Sequence, residues 1–308
     1  MKNVVAIGGG HGLSTILKGI KNIKDINISA IVTVADDGGS TGRIRERYTI
    51  PAMGDIRTVM LALSETEPLM HDLMNYRFAG EDNMDISGHS LGNLILTALT
   101  NMSGSFDKAI KTASDFLKVN GKIIPSTLQS VKLSAKMEDG TLVLGEKNIP
   151  SDKQYIESVF YENEVKANPE AIKAIENADL IIYGIGSLFT SILPNTIIKD
   201  ISIALNNSKA KKIYFANCMT QANETYNLDL KDHVDALTKH NTPVDIVVTH
   251  NNEIPSGIMN RYLLRDSIEV LNNGNLSQNV KTYDLLKFDK GLVRHDPVKI
   301  KKVIEDLL

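Results

Sequence analysis

The sequence predicts an α/β fold with a Rossmann-like, doubly wound and mostly parallel sheet that carries a small antiparallel β insertion. Short runs rich in valine and isoleucine alternate with amphipathic segments, and most of these runs end in glycine or polar residues. Residues 123–161 change instead to a period-two alternation that is typical of antiparallel strands. No repeat, low-complexity tract or linker interrupts the 308 residues, so we expect a single domain over residues 1–308 with this insertion inside it.

The predicted strands of the parallel sheet are short and apolar, because helices cover such strands on both faces. In chain order they are Val4–Ile7, Ile28–Val34, Leu180–Tyr183, Ile213–Ala216 and Val244–Val248. The segments between them have apolar residues at three- and four-residue spacing, which predicts helices. These segments are Leu13–Ile23, Gly54–Leu63, Leu91–Asn101, Phe106–Leu117, Pro169–Asn177 and Pro194–Leu205.

The insertion contains a hairpin signature. Leu133 and Ala135 alternate with polar residues, Asp139-Gly140 follows, and Leu142 begins a second apolar alternation. An Asp-Gly pair between two alternating runs is typical of a tight turn between antiparallel strands.

Composition and charge exclude several classes of protein. Lysine and arginine total 34 against 37 aspartate and glutamate, a net charge of −3 that argues against a nucleic-acid partner. No apolar run is long enough for a signal-peptide core or a membrane span, so we expect a cytoplasmic protein without a membrane span. The single cysteine, Cys218, excludes an internal disulfide and sites built from several thiolates.

The first predicted strand runs into a glycine-rich loop, Gly8-Gly9-Gly10-His11-Gly12, which opens a helix. Backbone N–H groups at such a helix N-terminus favour an anion, and glycines let a phosphate approach them. The dinucleotide fingerprint needs a glycine where Leu13 stands, and the Walker lysine is missing. The alternative is a tight turn in which His11 is only a loop residue.

The second predicted strand ends in a segment that mixes carboxylates, hydroxyls and guanidinium groups: Asp36, Asp37, Ser40, Thr41, Arg43 and Arg45. Carboxylates suit sugar hydroxyls and arginine suits phosphate, so the segment favours a sugar nucleotide. Four of the eight arginines fall between Arg43 and Arg57. The alternative is a solvated helix face with Glu46 as a partner.

Two further helix starts carry candidate ligand residues. Gly54-Asp55-Ile56-Arg57 opens a helix in which Asp55 is a candidate N-cap, and capping alone would account for it. Before the next helix, His89 precedes Ser90, the expected cap, and Asn93 lies in the first turn, where an amide gains little structurally.

Later strand ends repeat the same pattern. Gly184, Gly186 and Ser187 predict a second phosphate nest, because a nucleophile elbow would need glycines at 185 and 189. Asn217 and Thr220 follow the next strand in an amide-rich loop. Since the carboxyl ends of parallel strands meet at one edge of the sheet, we expect a nucleotide-like phosphate ligand there.

The chain resembles the bacterial gluconeogenesis-factor family over essentially its whole length. The resemblance rests on the ordered motifs Gly-Gly-Gly-His-Gly, Ala-Asp-Asp-Gly-Gly-Ser-Thr-Gly-Arg-Ile-Arg, Gly-Asp-Ile-Arg, Gly-His-Ser-Leu-Gly-Asn-Leu, Gly-x-Gly-Ser-Leu-Phe-Thr-Ser and Asn-x-Met-Thr-Gln. That family shares a superfamily with 2-phospho-L-lactate transferase, which moves a phospholactyl group from a nucleotide-diphosphate donor. The resemblance implies a Rossmann-like sheet, a nucleotide-diphosphate site at its carboxyl edge, UDP-sugar binding, and a role in cell shape during growth on gluconeogenic carbon sources.

The resemblance also implies roles for individual residues. The Gly9–Gly12 loop would cradle a phosphate, and Asp36 and Asp37 would face ribose or a magnesium ion. Tyr262 would stack on the base, and Arg294 would hold the pyrophosphate.

Three functions compete. We expect a regulatory protein that binds a UDP-sugar, requires no cofactor, catalyses no reaction, and has a homo-oligomer or cell-wall-related proteins as partners. The alternative is a phospholactyl transferase in which Asp36 or Asp37 holds Mg²⁺. A third hypothesis is binding of a nicotinamide dinucleotide. Leu13 argues against it, because the dinucleotide fingerprint needs a glycine at this position.

Overall fold

The structure, a computed structural model, describes residues 1–80, 86–151 and 154–308. The strands in this part of the chain are β1 Lys2–Gly8, β2 Ile26–Val32, β3 Lys122–Pro125, β4 Leu133–Met137, β5 Leu142–Leu144, β6 Ile156–Tyr161, β7 Leu180–Tyr183, β8 Lys211–Phe215, β9 Ile246–His250, β10 Asn279–Tyr283, β11 Leu286–Asp289 and β12 Leu292–His295. Among the described residues, seven of these strands form the main sheet in the order β3-β2-β1-β7-β8-β9-β10, and all its pairings are parallel.

The helices connect these strands. They are α1 Gly10–Ile20, α2 Gly39–Tyr48, α3 Gly54–Leu63, α4 Pro68–Asn75, α5 Leu91–Ser103, α6 Phe106–Phe116, α7 Pro169–Glu176, α8 Leu193–Thr196, α9 Lys199–Asn207, α10 Leu230–Lys239, α11 Ser256–Leu263 and α12 Pro297–Leu307. The predicted α/β, Rossmann-like fold is confirmed.

The strand order places the expected binding crevice. From β1 the chain builds β2 and β3 on one side, and after β6 it returns to build β7 to β10 on the other side of β1. Strand β1 therefore pairs with both β2 and β7. In an open parallel sheet, ligands bind outside the carboxyl ends of the strands where the order reverses, which here is between β1 and β7.

The core lies on both faces of the central strands. Val4–Ile7 of β1 and Leu180–Tyr183 of β7 are buried along their whole length. Consecutive residues of a strand point to opposite faces, so uninterrupted burial requires cover on both sides. Helix α1 provides part of this cover and packs against α3 and α12.

The antiparallel insertion is smaller than the sequence predicts. Strands β4, β5 and β6 form an antiparallel sheet with β4 in the centre. Gly140 adopts a left-handed φ of +87° at the predicted Asp-Gly turn. Residues 122–125, however, form β3, which extends the main sheet beside β2. The antiparallel insertion therefore begins after Pro125. The sequence placed its start too early because a local alternation of apolar residues does not show which strand a segment pairs with.

The helix predicted over residues 194–205 is broken. Residues 188–192 form a π-helical turn, α8 follows, and α9 begins only after Ile198 has returned to an extended conformation. In the part of the chain that the structure describes, no single helix is long and apolar enough to cross a membrane. A bent pair, 188–196 with 199–207, meets the length and composition requirement across an angle of 77°.

Candidate functional site

A cleft of about 460 Å³ opens at the carboxyl edge of the sheet, where β1, β7 and β8 end. The predicted site residues that line it are Gly9, Gly10, His11, Gly12, Gly186, Ser187, Asn217, Thr220, Tyr262 and Arg294. Gly184 lies behind the cleft, where its N–H donates to the Ile7 carbonyl at 2.9 Å.

The first turn of α1 forms one wall of the cleft. Gly9 precedes the helix without a side-chain cap, and Gly10 has a left-handed φ of +52° that favours glycine. Within residues 1–80, 86–151 and 154–308, the N–H groups of His11 and Gly12 have no protein acceptor, because Gly9 accepts only from Leu13. Two backbone donors are therefore available for an anion.

Gly12 is required by the close approach of two loops. A Cβ at this position would collide with the carbonyl oxygen of Ile185, in the loop after β7. The absence of a side chain lets the first turn of α1 lie directly against that loop. The two sides of the crevice are joined at this contact.

Asp55 lies beneath the glycine loop and is not the cap of α3; Met53 holds the cap position. The Asp55 carboxylate lies against the loop, so that a Cβ at Gly10 would lie 3.2 Å from Asp55 Oδ1. Desolvation raises the pKa of Asp55 to about 7, with a further contribution from the charge of Asp36, whereas the Gly10 N–H and Arg57 oppose the rise.

Two residues from the C-terminal part of the chain close the cleft. The Tyr262 hydroxyl on α11 accepts the N–H of Val293 at 3.0 Å, which holds β12 against α11. Arg294 on β12 is exposed, and its side chain makes no hydrogen bond or ion pair with any other described residue. The pKa of His11 lies below its ordinary value, first because of burial and then because the positive charge of Arg294 is close.

The predicted second phosphate nest is filled by a carboxylate of the chain itself. Glu224 is buried, and its Oε1 accepts from the Ser187 hydroxyl and from the Phe189 N–H at 2.8 Å. Burial raises the pKa of Glu224, and these hydrogen bonds oppose the rise. The N-terminus of the 188–192 turn therefore already has an acceptor for its N–H group, and Ser187 faces Glu224 rather than a free nest.

Asn217 and Thr220 hold the loops that shape the cleft. The Asn217 amide donates to the Gly186 carbonyl at 2.8 Å and accepts from the Gly186 N–H at 3.3 Å. Thr220 accepts the Ile268 N–H at 2.9 Å and donates its own N–H to the Ile268 carbonyl at 2.7 Å. Both side chains connect loop backbones across the cleft floor.

The loop after β2 lies beside the cleft and not in its lining. Asp36 accepts the N–H of Gly38 at 2.9 Å, and Asp37 accepts the N–H of Lys147 from the insertion at 2.9 Å. A Cβ on Gly54, at the start of α3, would lie 2.8 Å from the Thr41 hydroxyl and 3.2 Å from Asp36 Oδ2. Asp36 thus faces α3 and Asp55, whereas Asp37 faces the insertion.

Arg45 and Arg57 point to backbone groups instead of the cleft. Arg45 donates to the Asp36 carbonyl at 2.7 Å, to the Ala35 carbonyl at 3.2 Å and to the Val131 carbonyl. Arg57 is buried and donates to the Met74 carbonyl at 3.0 Å. These contacts connect the β2 loop to the insertion and α3 to α4.

The other predicted residues form a separate cluster. Ser40 lies 2.9 Å from His89 Nδ1, and the Asn93 amide lies 3.3 Å from the Ser40 hydroxyl. Arg43 donates to the Ser87 carbonyl. Ser90 caps α5 as predicted, by accepting the Asn93 N–H at 3.2 Å. None of these residues lines the cleft.

Two carboxylates of the site region escaped prediction. Burial and the charges of Asp36, Asp37, Asp55 and Glu224 raise the pKa of Glu146 to about 8. Glu146 lies in the insertion, and Glu224 lies in the loop after β8. The only local signal for either is that Glu146 follows a glycine and that Glu224 follows an amide-rich segment. Their proximity to the site depends on how distant segments pack.

The described residues offer a partial fit to a magnesium ion. No group of three or more His, Cys, Asp or Glu side chains in that part of the chain is arranged to hold a metal. Asp36 and Asp55 approach each other next to the first turn of α1. Magnesium is commonly held by one or two carboxylates together with phosphate oxygens and water, so this pair fits an ion that arrives with its ligand.

Known proteins resemble this chain along almost its whole length. A family described as 2-phospho-L-lactate transferase CofD matches residues 4–285. The gluconeogenesis factor of Bacillus subtilis (strain 168) is 43% identical over 99% of this chain and 98% of that protein. The gluconeogenesis factor of Listeria monocytogenes is 43% identical over 96% of this chain and 92% of that protein. A crystal structure of a UPF0052 family member from Bacillus halodurans superposes with a TM-score of 0.94 at 39% identity and covers 99% of both chains.

Proposed function

Because the chain belongs to the 2-phospho-L-lactate transferase CofD family and is 43% identical to a bacterial gluconeogenesis factor, we propose that it is a gluconeogenesis factor that acts as a regulatory binding protein. Its ligand is a UDP-sugar, which it binds in the carboxyl-edge cleft and releases unchanged. The regulation concerns cell shape during growth on gluconeogenic carbon sources. The site of action is the cytoplasm, and the partners are a second copy of the chain or proteins of cell-wall synthesis.

The presence of Arg294 in the same cleft as the first turn of α1 carries this proposal. The free N–H groups of His11 and Gly12 and the guanidinium of Arg294 line this cleft together, and the charge of Arg294 is close enough to lower the pKa of His11. A pyrophosphate between them would receive backbone donors, the positive end of a helix dipole and a guanidinium fork. Tyr262 supplies an aromatic ring at the same cleft.

The experiment is a calorimetric titration of UDP-sugar, UDP, GDP and NAD into the wild-type protein and Arg294→Gln. We expect UDP-sugar to bind the wild type, and Arg294→Gln to weaken binding about tenfold or more, because a charge-assisted contact is removed. Arg47→Gln is the matched control, since Arg47 is exposed on α2 away from the cleft. Equal affinity of the Arg294 and Arg47 variants for UDP-sugar would contradict this site.

We expect magnesium to bind only together with the UDP-sugar. Asp36 and Asp55 would hold the ion against the pyrophosphate, where it would neutralise phosphate charge. UDP-sugar binding does not require the ion, so we expect magnesium to change the affinity for UDP-sugar only modestly. Titrations with and without magnesium in the wild type and in Asp36→Asn measure this effect.

A transferase of the phospholactyl type is the second candidate, because Asp36, Asp55 and Glu146 are close enough for their charges to interact. Raised pKa values in neighbouring carboxyl groups are common at catalytic sites. Phosphorus NMR of the protein with UDP-sugar, and separately with lactyl-diphospho-guanosine and a deazaflavin acceptor, decides between the two. Release of a nucleoside monophosphate that depends on magnesium and disappears in Asp36→Asn would favour the transferase.

A further inference from the structure

A second cavity, of about 250 Å³, lies beside the cleft. Three segments of the chain line it: the end of the insertion just before β6, the loop after β8, and the loop that follows α11. The described residues of its lining are Gln154, Tyr155, Asn223, Glu224, Tyr226 and Asp266. We call this cavity the tyrosine pocket.

One side-chain contact separates the tyrosine pocket from the cleft. Ser187 lines the cleft, Glu224 lines the tyrosine pocket, and the Ser187 hydroxyl donates to Glu224 Oε1. The loop that carries Ser187 also meets the first turn of α1, since a Cβ on Gly12 would lie 2.7 Å from the Cα of Gly186. The tyrosine pocket therefore adjoins the part of the cleft where His11 and Gly12 offer their N–H groups to a phosphate.

Two aromatic rings are accessible in the tyrosine pocket. Tyr155 belongs to the insertion and Tyr226 to the loop after β8, and each residue is 41% exposed. An aromatic ring offers a large apolar face beside a polar hydroxyl. The C–H groups on one face of a sugar ring can pack on such a surface while the sugar hydroxyls remain free to form hydrogen bonds.

The polar groups of the tyrosine pocket suit hydroxyl groups better than phosphate. Its described lining contains the carboxyl groups of Glu224 and Asp266 and no lysine or arginine, so an anionic group would meet like charges there. Carboxylate oxygens accept hydrogen bonds from hydroxyls, and the Asn223 amide can both donate and accept. A cation is not needed to compensate Glu224, because this carboxylate already accepts from the Ser187 hydroxyl and the Phe189 N–H.

We infer that the tyrosine pocket holds the sugar ring of the nucleotide sugar whose pyrophosphate lies in the cleft. The inference rests on the proposed function and names the residues that select the sugar. In a nucleotide sugar the ring is bonded directly to the terminal phosphate, so its pocket must adjoin the phosphate site. The tyrosine pocket meets this condition across the contact between Ser187 and Glu224. Its volume of about 250 Å³ suits one ring rather than a whole nucleotide.

Calorimetric titrations of UDP-glucose and of UDP test the inference, because only UDP-glucose carries a sugar on its terminal phosphate. Tyr155→Ala and Tyr226→Ala should each weaken UDP-glucose binding about tenfold, since the sugar loses a ring contact. Both variants should keep the wild-type affinity for UDP. Tyr155→Phe and Tyr226→Phe retain the rings and should bind UDP-glucose more tightly than the corresponding alanine variants.

Tyr48→Ala is the matched control, because Tyr48 is 46% exposed on α2 and lines neither the cleft nor the tyrosine pocket. Thermal unfolding of the ligand-free variants checks that each is folded. An equal loss of affinity for UDP and UDP-glucose in both alanine variants would overturn the inference. Wild-type affinity of both variants for UDP-glucose would overturn it as well.

These outcomes are distinct from a failure of the proposed function. If the wild type binds UDP and UDP-glucose but the alanine variants do not separate the two ligands, the cleft remains a nucleotide site and only the sugar pocket is wrong. A wild-type protein that binds neither ligand would contradict the proposed function and the sugar pocket together.

Discussion

The Asp55 carboxylate lies against Gly9 and Gly10: a Cβ at Gly9 would collide with Asp55 Oδ2, and a Cβ at Gly10 would lie 3.2 Å from Oδ1. An acid thus occupies the rear of a loop whose front offers N–H groups to a phosphate. This contact packs α3 against the glycine loop at the start of α1. Burial raises the pKa of Asp55 to about 7, so the charge of the loop region depends on pH near neutrality.

We predict that Asp55 lowers stability as pH rises towards neutrality. The pKa of this carboxyl is about 7 in the folded protein against an ordinary value of 3.8, so the folded state binds more protons between these values. The free energy of unfolding then falls as pH rises from about 4 to about 7. Urea denaturation across this range should show a smaller fall in Asp55→Asn, because the asparagine side chain has the same shape and does not ionise. Glu146→Gln should reduce the fall towards higher pH, since the pKa of Glu146 is about 8. Parallel pH profiles for the wild type and Asp55→Asn would contradict the prediction.

We predict that Gly12→Ala impairs both stability and binding. Its Cβ would meet the Ile185 carbonyl, so α1 must move away from the β7 loop, at a cost of about 1–3 kcal/mol. UDP-sugar affinity should fall at the same time, because the backbone donors move with the helix. Gly257→Ala is the control, since nothing lies within 4 Å of its Cβ position on α11. Chemical denaturation and calorimetry measure the two effects, and a fully stable Gly12→Ala would exclude the close approach.

We predict that Arg45→Lys destabilises the protein by about 1–3 kcal/mol, because one ammonium group cannot replace hydrogen bonds to three carbonyl groups. Arg47→Lys on the same helix should leave the free energy of unfolding within about 0.5 kcal/mol of the wild type. Denaturation curves decide this. If Arg45→Lys weakens UDP-sugar binding without a change in stability, Arg45 contacts the ligand instead of the backbone.

We predict that Glu224→Ala lowers the free energy of unfolding by about 1–3 kcal/mol, because the Phe189 N–H loses its buried acceptor. Glu224→Gln keeps an acceptor oxygen and should lower it less. Denaturation of both variants at pH 7 measures the difference. An alanine variant no less stable than the glutamine variant would show that the carboxylate does not satisfy this helix N-terminus.

Local patterns were sufficient where the structure depends on neighbours in sequence. Uninterrupted apolar runs predict strands covered on both faces, and the runs at residues 4–7 and 180–183 are buried as expected. The Ser90 cap and the Asp-Gly turn also follow from residues a few positions apart. The glycine loop after β1 lines a cleft at the carboxyl edge of the sheet, and ligand binding in that cleft stays a prediction.

The partners of the polar side chains were decided only by the tertiary structure. Arg43 and Arg45 are two positions apart on α2, yet one binds the loop before α5 and the other binds the β2 loop and the insertion. Ser187 meets Glu224 across 37 positions of sequence. The composition of a strand determines that it is buried, but the order of strands in the sheet determines which loops meet. Hydrogen-bond partners from different loops therefore cannot be deduced until that order is known, because each side chain bonds the group that packing brings within about 3 Å.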